Sequence, residues 1–516
     1  MTRPRLPLTS RTFVLLALAT VVVSAAMGAW WLHLRGGEQP PPGSRPGNPW
    51  RPALHLTPDG GWMNDVQRPV WADGRWHLYN LVNADYPAGN GTSWQHATST
   101  DLVHWEPQGI AIEKYLNGLG DIETGSVVVD RNNTAGFGAG AIVAIATQQL
   151  DGVQRQSLFS SRDGGATFTS YDGNPVLDNP GVEDFRDPKV IRDEARHRWV
   201  MALAEGDKIG FYTSPDLKTW TYTSGFVRDD LGTLECPDLF PMAVDGDPHR
   251  IRWVLAASAN GSSYGRSTGY AYWVGDWDGR GFTADDPAPQ WLDQGADFYA
   301  AVTWADPRAS AAAELEHRYA IGWMNNWSYA GDVPAVPSTG GFNSLVRTIR
   351  LEDVGGRPTL TSHLLGDPPP PGTEPDVRTI GAIEGPTTVF RTDETSYHVH
   401  LRFAVDAARE VRIRVRAADG SSMTVGYDAE HRRAFLVRDT DAVAATMPDT
   451  YRRVQMAPAE PAADGTISLD LIMDGAPPRP SWATPPRSPA WCSSAPEPAP
   501  SRSSRWAALP TSPRRH

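Results

Sequence analysis

Three times the chain writes a serine, one further residue and an aspartate, and then an aromatic a few positions on. The copies are Ser99-Thr-Asp-Leu-Val-His-Trp105, Ser161-Arg-Asp-Gly-Gly-Ala-Thr-Phe168 and Ser214-Pro-Asp-Leu-Lys-Thr-Trp220. The aspartates Asp101, Asp163 and Asp216 stand 62 and 53 residues apart. Serine and aspartate side chains bond nearby backbone and close a turn, and the aromatic packs inward behind it. Between the turns the apolar runs are short, as in Ala141 to Thr147, Arg198 to Glu205, Ile251 to Ser258 and Arg318 to Met324. None keeps a helical period for the ~10–12 residues a helix requires, so they read as strands. A unit repeated every few tens of residues in all-β material predicts propeller blades, with room for about five between Leu56 and Gly366. Three unrelated turns in a β-sandwich would write the same pattern.

Two proline-rich spacers, Gly36 to Pro52 and Gly366 to Pro375, bracket this region. Beyond the second, Tyr397 to Val405, Glu410 to Arg416, Met423 to Tyr427, Arg433 to Val437 and Thr466 to Met473 alternate apolar and polar residues with period two. That pattern predicts a half-buried antiparallel sheet of a sandwich domain. From Gly475 onward eleven prolines and six arginines meet one acidic residue, and the strand pattern stops. The tail reads as disordered or as the product of a frameshift, which would leave the sandwich truncated. At the other end Arg3, Arg5 and Arg11 precede an apolar run from Phe13 to Leu32. This is an export signal, a cleaved signal peptide or an uncleaved anchor, and either directs the rest of the chain outward. With only Cys236 and Cys492, disulfides do not staple the fold.

A formal net charge of −13 argues against nucleic acid and anionic membrane surfaces as partners. Twenty Trp and fifteen Tyr suit platforms for sugar rings and equally suit the packing of many strands. Three carboxylates stand in marked contexts: Asp65 in Trp62-Met-Asn-Asp65, Asp187 in Asp184-Phe-Arg-Asp-Pro-Lys189, and Glu235 in Leu234-Glu-Cys-Pro-Asp238. Each sits at the edge of a strand run in a different blade, and the inner strands of a propeller converge on its axis. A pair of carboxyl groups meeting there suits glycoside cleavage. Singly, each also reads as a turn residue, a local ion pair or a solvated strand end.

The three contexts, in this order, resemble the signatures of glycoside hydrolase family 32, the invertase, inulinase and levanase group. Trp94-Gln-His-Ala-Thr-Ser-Thr-Asp-Leu-Val-His-Trp105, Gly295-Ala-Asp-Phe-Tyr-Ala300 and Gly322-Trp-Met-Asn-Asn-Trp-Ser-Tyr-Ala330 are similar to further segments of that family. The resemblance implies an all-β chain, a five-bladed β-propeller followed by a β-sandwich, and a retaining double displacement on fructans, with levan as the first expectation. It implies Asp65 as nucleophile, Glu235 as general acid/base and Asp187 as stabiliser of the transition state. Arg186, beside Asp187, would keep that stabiliser ionised. Asn64, Trp94 and Thr124 are the further candidates for sugar contacts: an amide donor, a stacking face and a hydroxyl.

The expected organisation is a signal or anchor over 1–35, a spacer over 36–52, the catalytic propeller over 53–365, a linker over 366–378, the sandwich over 379–474 and the tail over 475–516. The chain departs from the family at Val66-Gln67-Arg68-Pro69, at Tyr79-Asn80-Leu81 and at Glu123, where an aromatic is usual. These departures are expected at the rim of the pocket, where they bear on substrate choice, and the first resembles the levan-directed bacterial branch. No metal-binding spacing of His, Cys or acidic residues appears, so no cofactor is expected. Cys236 reads as a buried small residue and not as a nucleophile. The expected partner is a fructan or fructosyl saccharide, with no nucleic acid, no protein partner, and a membrane only through the N-terminal anchor. A fructotransferase of related fold, a non-catalytic carbohydrate-binding propeller and an inverting pentose-directed enzyme are the other readings.

Overall fold

The computed structural model describes residues 52–474, apart from 59, 87, 90, 331–340, 367–375, 393, 395, 417–421 and 439–446. The N-terminal apolar segment, nearly all of the first spacer, most of the second and the tail with Cys492 therefore lie outside the described residues.

Five antiparallel sheets follow one another along the described chain, each built from consecutive strands. The first holds β1 (Trp62–Ala72), β2 (Arg75–Asn83), β3 (Ser93–Ser99) and β4 (Glu106–Ile112). The second holds β5 (Asp121–Asp130), β6 (Ala141–Leu150), β7 (Val153–Ser161) and β8 (Thr169–Ser170). The third holds β9 (Arg186–Asp193), β10 (Arg198–Glu205), β11 (Lys208–Ser214) and β12 (Thr221–Val227). The fourth holds β13 (Glu235–Ala243), β14 (Ile251–Asn260), β15 (Thr268–Trp277), β16 (Phe282–Ala284) and β17 (Gln290–Trp291). The fifth holds β18 (Tyr299–Trp304), β19 (Arg318–Trp323), β20 (Arg347–Val354) and β21 (Arg357–Leu364).

The repeated Ser-x-Asp turn closes β3, β7 and β11, the third strand of the first three sheets. Ser99, Ser161 and Ser214 donate to Asp101, Asp163 and Asp216 at 3.0, 2.7 and 3.1 Å. Each aspartate then takes backbone N–H groups two to four residues on, from Val103 and His104, from Thr167, and from Lys218 and Thr219. Those bonds satisfy the turn's free donors without a further strand, as the sequence motif requires.

Every interface between neighbouring sheets is an apolar layer. Tyr79, Leu81 and Ile112 meet Ile122, Val127 and Ile142 between the first and second sheets. Comparable layers lie between second and third, third and fourth, and fourth and fifth. A last layer, with Val66, Trp76 and Leu78 against Val302, Trp304 and Ile321, joins the fifth sheet back to the first. The first strands β1, β5, β9, β13 and β18 touch in that cyclic order. The sheets thus close into a propeller, which leaves only short, protected edges where an open sheet of this size would expose long ones. Among the described residues no strand pairs across the closing seam; besides its side-chain layer it has a mutual amide pair, Asn80 with Asn343, at 2.9 and 3.0 Å.

Two further sheets form the sandwich: β22 (Ser396–Ala404), with the later β27 (Thr466–Asp474), and a four-stranded sheet of β23 (Glu410–Arg416), β24 (Ser422–Asp428), β25 (Arg433–Val437) and β26 (Gln455–Pro458). The period-two stretches match these strands, the first overrunning β22 by Val405 alone, while the short β26 carries too little alternation to be read. Met423, Val425 and Leu436 pack against Ile467, Leu469 and Leu471 between the sheets. Asp474, the last residue of β27, accepts from the backbone of Ala53, Leu54 and His55, from His55 Nδ1 at 2.6 Å and from Ser396 Oγ at 2.7 Å. On the other side Gln455 takes the N–H of Ala296, and Arg438 pairs with Asp297.

Candidate active site

All five first strands carry the same irregularity at their N-terminal ends. Between Met63 and Val66, Ile122 and Gly125, Arg186 and Lys189, Glu235 and Asp238, and Tyr299 and Val302, two residues stand opposite one on the neighbouring strand. Each is a β-bulge, which breaks the alternation of side chains and re-aims those beside it. The bulged pairs are Asn64-Asp65, Glu123-Thr124, Asp187-Pro188, Cys236-Pro237 and Ala300-Ala301. Asp187, Cys236 and Ala300 hold positive φ angles of 61°, 46° and 46°, a region that costs a non-glycine residue energy and recurs at functional sites.

The bulges bring the three carboxylates of the sequence signatures together. Cys236 lies between two of them: its N–H donates to Asp187 Oδ2 at 3.0 Å, and its thiol stands 3.6 Å from both Asp65 Oδ2 and Asp187 Oδ2. Arg186 links the others. Its Nη2 is 3.0 Å from Glu235 Oε1 and its Nε 4.0 Å from Asp187 Oδ2. Tyr299 donates its hydroxyl to Glu235 Oε2 in a very short bond. Among the described residues, Asp65, Asp187 and Cys236 form the one group with three potential metal-ligand atoms within 4.8 Å of one another.

Burial pushes Asp65 above the ordinary carboxylate range; the hydroxyl of Thr124 opposes this and the charge of Glu235 adds to it. Burial likewise pushes Asp187 up, to about 7; Arg186 counters it, while Asp65 and Glu235 reinforce it. The Cys236 thiol is driven well up by burial and by all three acids, so it stays neutral and is no nucleophile. Burial works against the charge of Arg186, but Glu235, Asp187 and Asp184 outweigh it and hold the guanidinium ionised.

Several expected contacts fall differently. Trp94 is fully buried and its indole N–H donates to the carbonyl of Glu123 at 3.0 Å, so it is a core residue beneath the site and offers no stacking face. Thr124 gives its hydroxyl to Asp65 Oδ2 at 2.5 Å, and Asn64 gives an amide N–H to Asp65 Oδ1 at 3.1 Å. Both therefore serve the carboxylate directly. Arg186 pairs with Glu235 and Asp184 more closely than with its chain neighbour Asp187. The departures at Gln67 and Asn80 are not on the rim: both are buried, Gln67 Oε1 taking the N–H of Gly125 at 2.8 Å and Asn80 pairing across the seam.

Sequence reasoning passed over Tyr299, Gln154 and the aromatic group at the mouth. Trp62 and Trp327 stack at 6.1 Å and 21°, Trp62 lies 5.1 Å from the exposed Tyr86, and this group packs beside Cys236 and Tyr299. It offers the apolar face that Trp94 does not. Trp62 and Tyr299 stand within segments already singled out, but which ring faces the pocket depends on strand register.

A closed ring of antiparallel sheets with three acids, each from a different inner strand, crowded at one end defines a propeller glycoside hydrolase. The chain belongs to glycosyl hydrolases family 32: the family's N-terminal domain matches residues 55–362 and its C-terminal domain 373–476. A levanbiose-producing levanase of Bacillus subtilis (strain 168) is 45% identical over 397 residues, covering 75% of this chain and 75% of that protein. One of the same name from Geobacillus stearothermophilus is 45% identical over 382 residues, covering 72% of this chain and 95% of its own. In structure the chain is similar to exo-inulinase from Aspergillus awamori, with a TM-score of 0.73 at 30% identity, covering 83% of this chain and 89% of that one.

Proposed function

We propose that the protein is a retaining β-fructosidase that hydrolyses levan. The observation that carries this reading is the cluster itself: Asp65 and Asp187 flank one thiol at 3.6 Å, and Arg186 joins Asp187 to Glu235. In this reading Asp65 attacks the anomeric carbon of the fructosyl unit. Glu235 protonates the departing glycosidic oxygen, then takes a proton from the water that releases the sugar. Asp187 grips fructosyl hydroxyls and offsets the positive charge that develops on the ring. Thr124 and Asn64 aim the nucleophile, and Tyr299 and Arg186 aim the acid.

Levan is favoured over other fructans because two relatives at 45% identity bear a levanase name, and that name makes a disaccharide the expected product. We assign the chemistry to residues 53–365 and a bracing role to 379–474. We also take the protein to be exported, on the basic and apolar N-terminus. Among the described residues no helix is long and apolar enough to cross a membrane.

The test is sugar release from levan, inulin and sucrose, with Asp65→Asn as control and products separated by chromatography. Release by the wild type and its loss in the variant support the reading. Equal release by both removes Asp65 from its role, and cyclic or elongated products identify a transferase. The anomeric form of the first product, followed by NMR, separates retention from inversion.

A further inference from the structure

A fourth carboxyl group stands in the pocket beside the three that the proposed reaction uses. Glu123 shares the β5 bulge with Thr124, whose hydroxyl holds Asp65. Its backbone is pinned by the Trp94 indole N–H at 3.0 Å, and its Oε2 accepts from Gln154 Nε2 at 3.2 Å. Gln154 cannot turn away, because its own Oε1 takes the N–H of Phe185 at 2.8 Å. Glu123 is thus held in place from two sides. Its second oxygen has no hydrogen-bond partner among the described residues, and the residue as a whole is only partly buried.

The surroundings decide which form this group takes. Burial, then the charges of Asp187 and Asp121, push its pKa up to about 8, against the pull of Arg186 and the bond from Gln154. One guanidinium does not balance so many acids, and the proton stays on the group that can keep it. A neutral carboxyl both donates and accepts hydrogen bonds, which suits a sugar hydroxyl and not a charged ligand.

We propose that Glu123 is a specificity-determining residue, its free carboxyl oxygen hydrogen-bonding a hydroxyl of the bound fructan on the Arg186 side of the pocket. The proposal rests on the reading of this pocket as a fructan site. A site built to bond a hydroxyl discriminates strongly once that partner is removed, because the hydroxyl is then buried without a bond.

The experiment compares wild type, Glu123→Leu and Glu123→Gln on levan, inulin and sucrose, reading kcat and KM separately between pH 5 and 9. Glu123→Leu is expected to raise KM for the preferred fructan ~10-fold or more with kcat within ~3-fold, and so to alter the ranking of the three substrates. Glu123→Gln, which keeps a donor and an acceptor, is expected to restore most of that affinity. Wild-type KM should climb above pH 8 as the carboxyl ionises, and that climb should vanish in Glu123→Gln. A companion titration of levan oligosaccharides into Asp65→Asn, with and without Glu123→Leu, reads the contact without turnover and should show ~10-fold weaker binding in the double variant. An unchanged KM ranking and unchanged oligosaccharide affinity in the leucine variants overturn the proposal. Wild-type protein that releases nothing from any of the three substrates overturns the fructan reading instead.

Discussion

The hydroxyl of Thr124 sits 2.5 Å from Asp65 and works against the burial that raises that carboxylate's pKa. Thr124→Val should therefore lower kcat ~10–100-fold, as expected for losing a bond to a charged group, with KM little changed. Since the nucleophile must be ionised, the acid limb of the pH–rate profile should also move to higher pH. Asp187 gives the opposite kind of prediction. Its folded pKa of about 7 exceeds its ordinary value of 3.8, so the stability it contributes is present below about pH 4 and is lost as pH rises through 7. Asp187→Asn, inactive in the proposed mechanism, should be more stable than wild type at pH 8 by about 1–3 kcal/mol and unfold at a correspondingly higher temperature, with the gap closing near pH 4. Calorimetry at the two pH values checks both the sign and the window. At this scale the three acids were legible because each stands in a local motif. Their partners were not, since Thr124 lies 59 residues from Asp65 and Tyr299 lies 64 from Glu235. Trp94 shows the same limit, because stacking face and core tryptophan look alike until strand register is known.

At the scale of strands, short apolar runs closed by turn residues found the second strand of four propeller sheets, β6, β10, β14 and β19, and period-two alternation found five of the six sandwich strands. The Ser-x-Asp turns were readable for a physical reason: their bonds span only two to four residues. The bulges were unreadable for the converse reason, since an extra residue is defined only against the strand it faces. Gln67 illustrates what holds one of them. Fully buried, it takes the N–H of Gly125 and donates from Nε2 to the carbonyl of Asp65 at 3.3 Å, tying β1 to β5 where both are bulged. Gln67→Ala should cost ~2 kcal/mol by leaving the Gly125 N–H buried without a partner. Urea unfolding at constant m-value measures that loss. Activity should fall further than the change in folded fraction explains, because the nucleophile rides on the same bulge.

For the molecule as a whole, the repeated turn pointed to a propeller, but ring closure had no sequence signal of its own, since apolar side chains form the seam. The sandwich touches both flanks of that seam. Asp474 holds residues 53–55, which lead into the first sheet, while Gln455 and Arg438 hold Ala296 and Asp297, which lead into the fifth. Burial alone would raise the pKa of Asp474, yet the bonds from His55, Ser396 and the backbone bring it below its ordinary value. Its contribution is therefore present above about pH 4 and lost as acid protonates it. Asp474→Ala should destabilise the fold by ~3 kcal/mol at pH 7 and by much less at pH 3, as chemical denaturation at the two pH values will show. The C-terminal unit then acts as a buckle across the joint where the first and last sheets of the ring meet. Without it the ring would breathe beside Trp62 and Trp323, and the acids would lose their alignment although nothing near them had been altered.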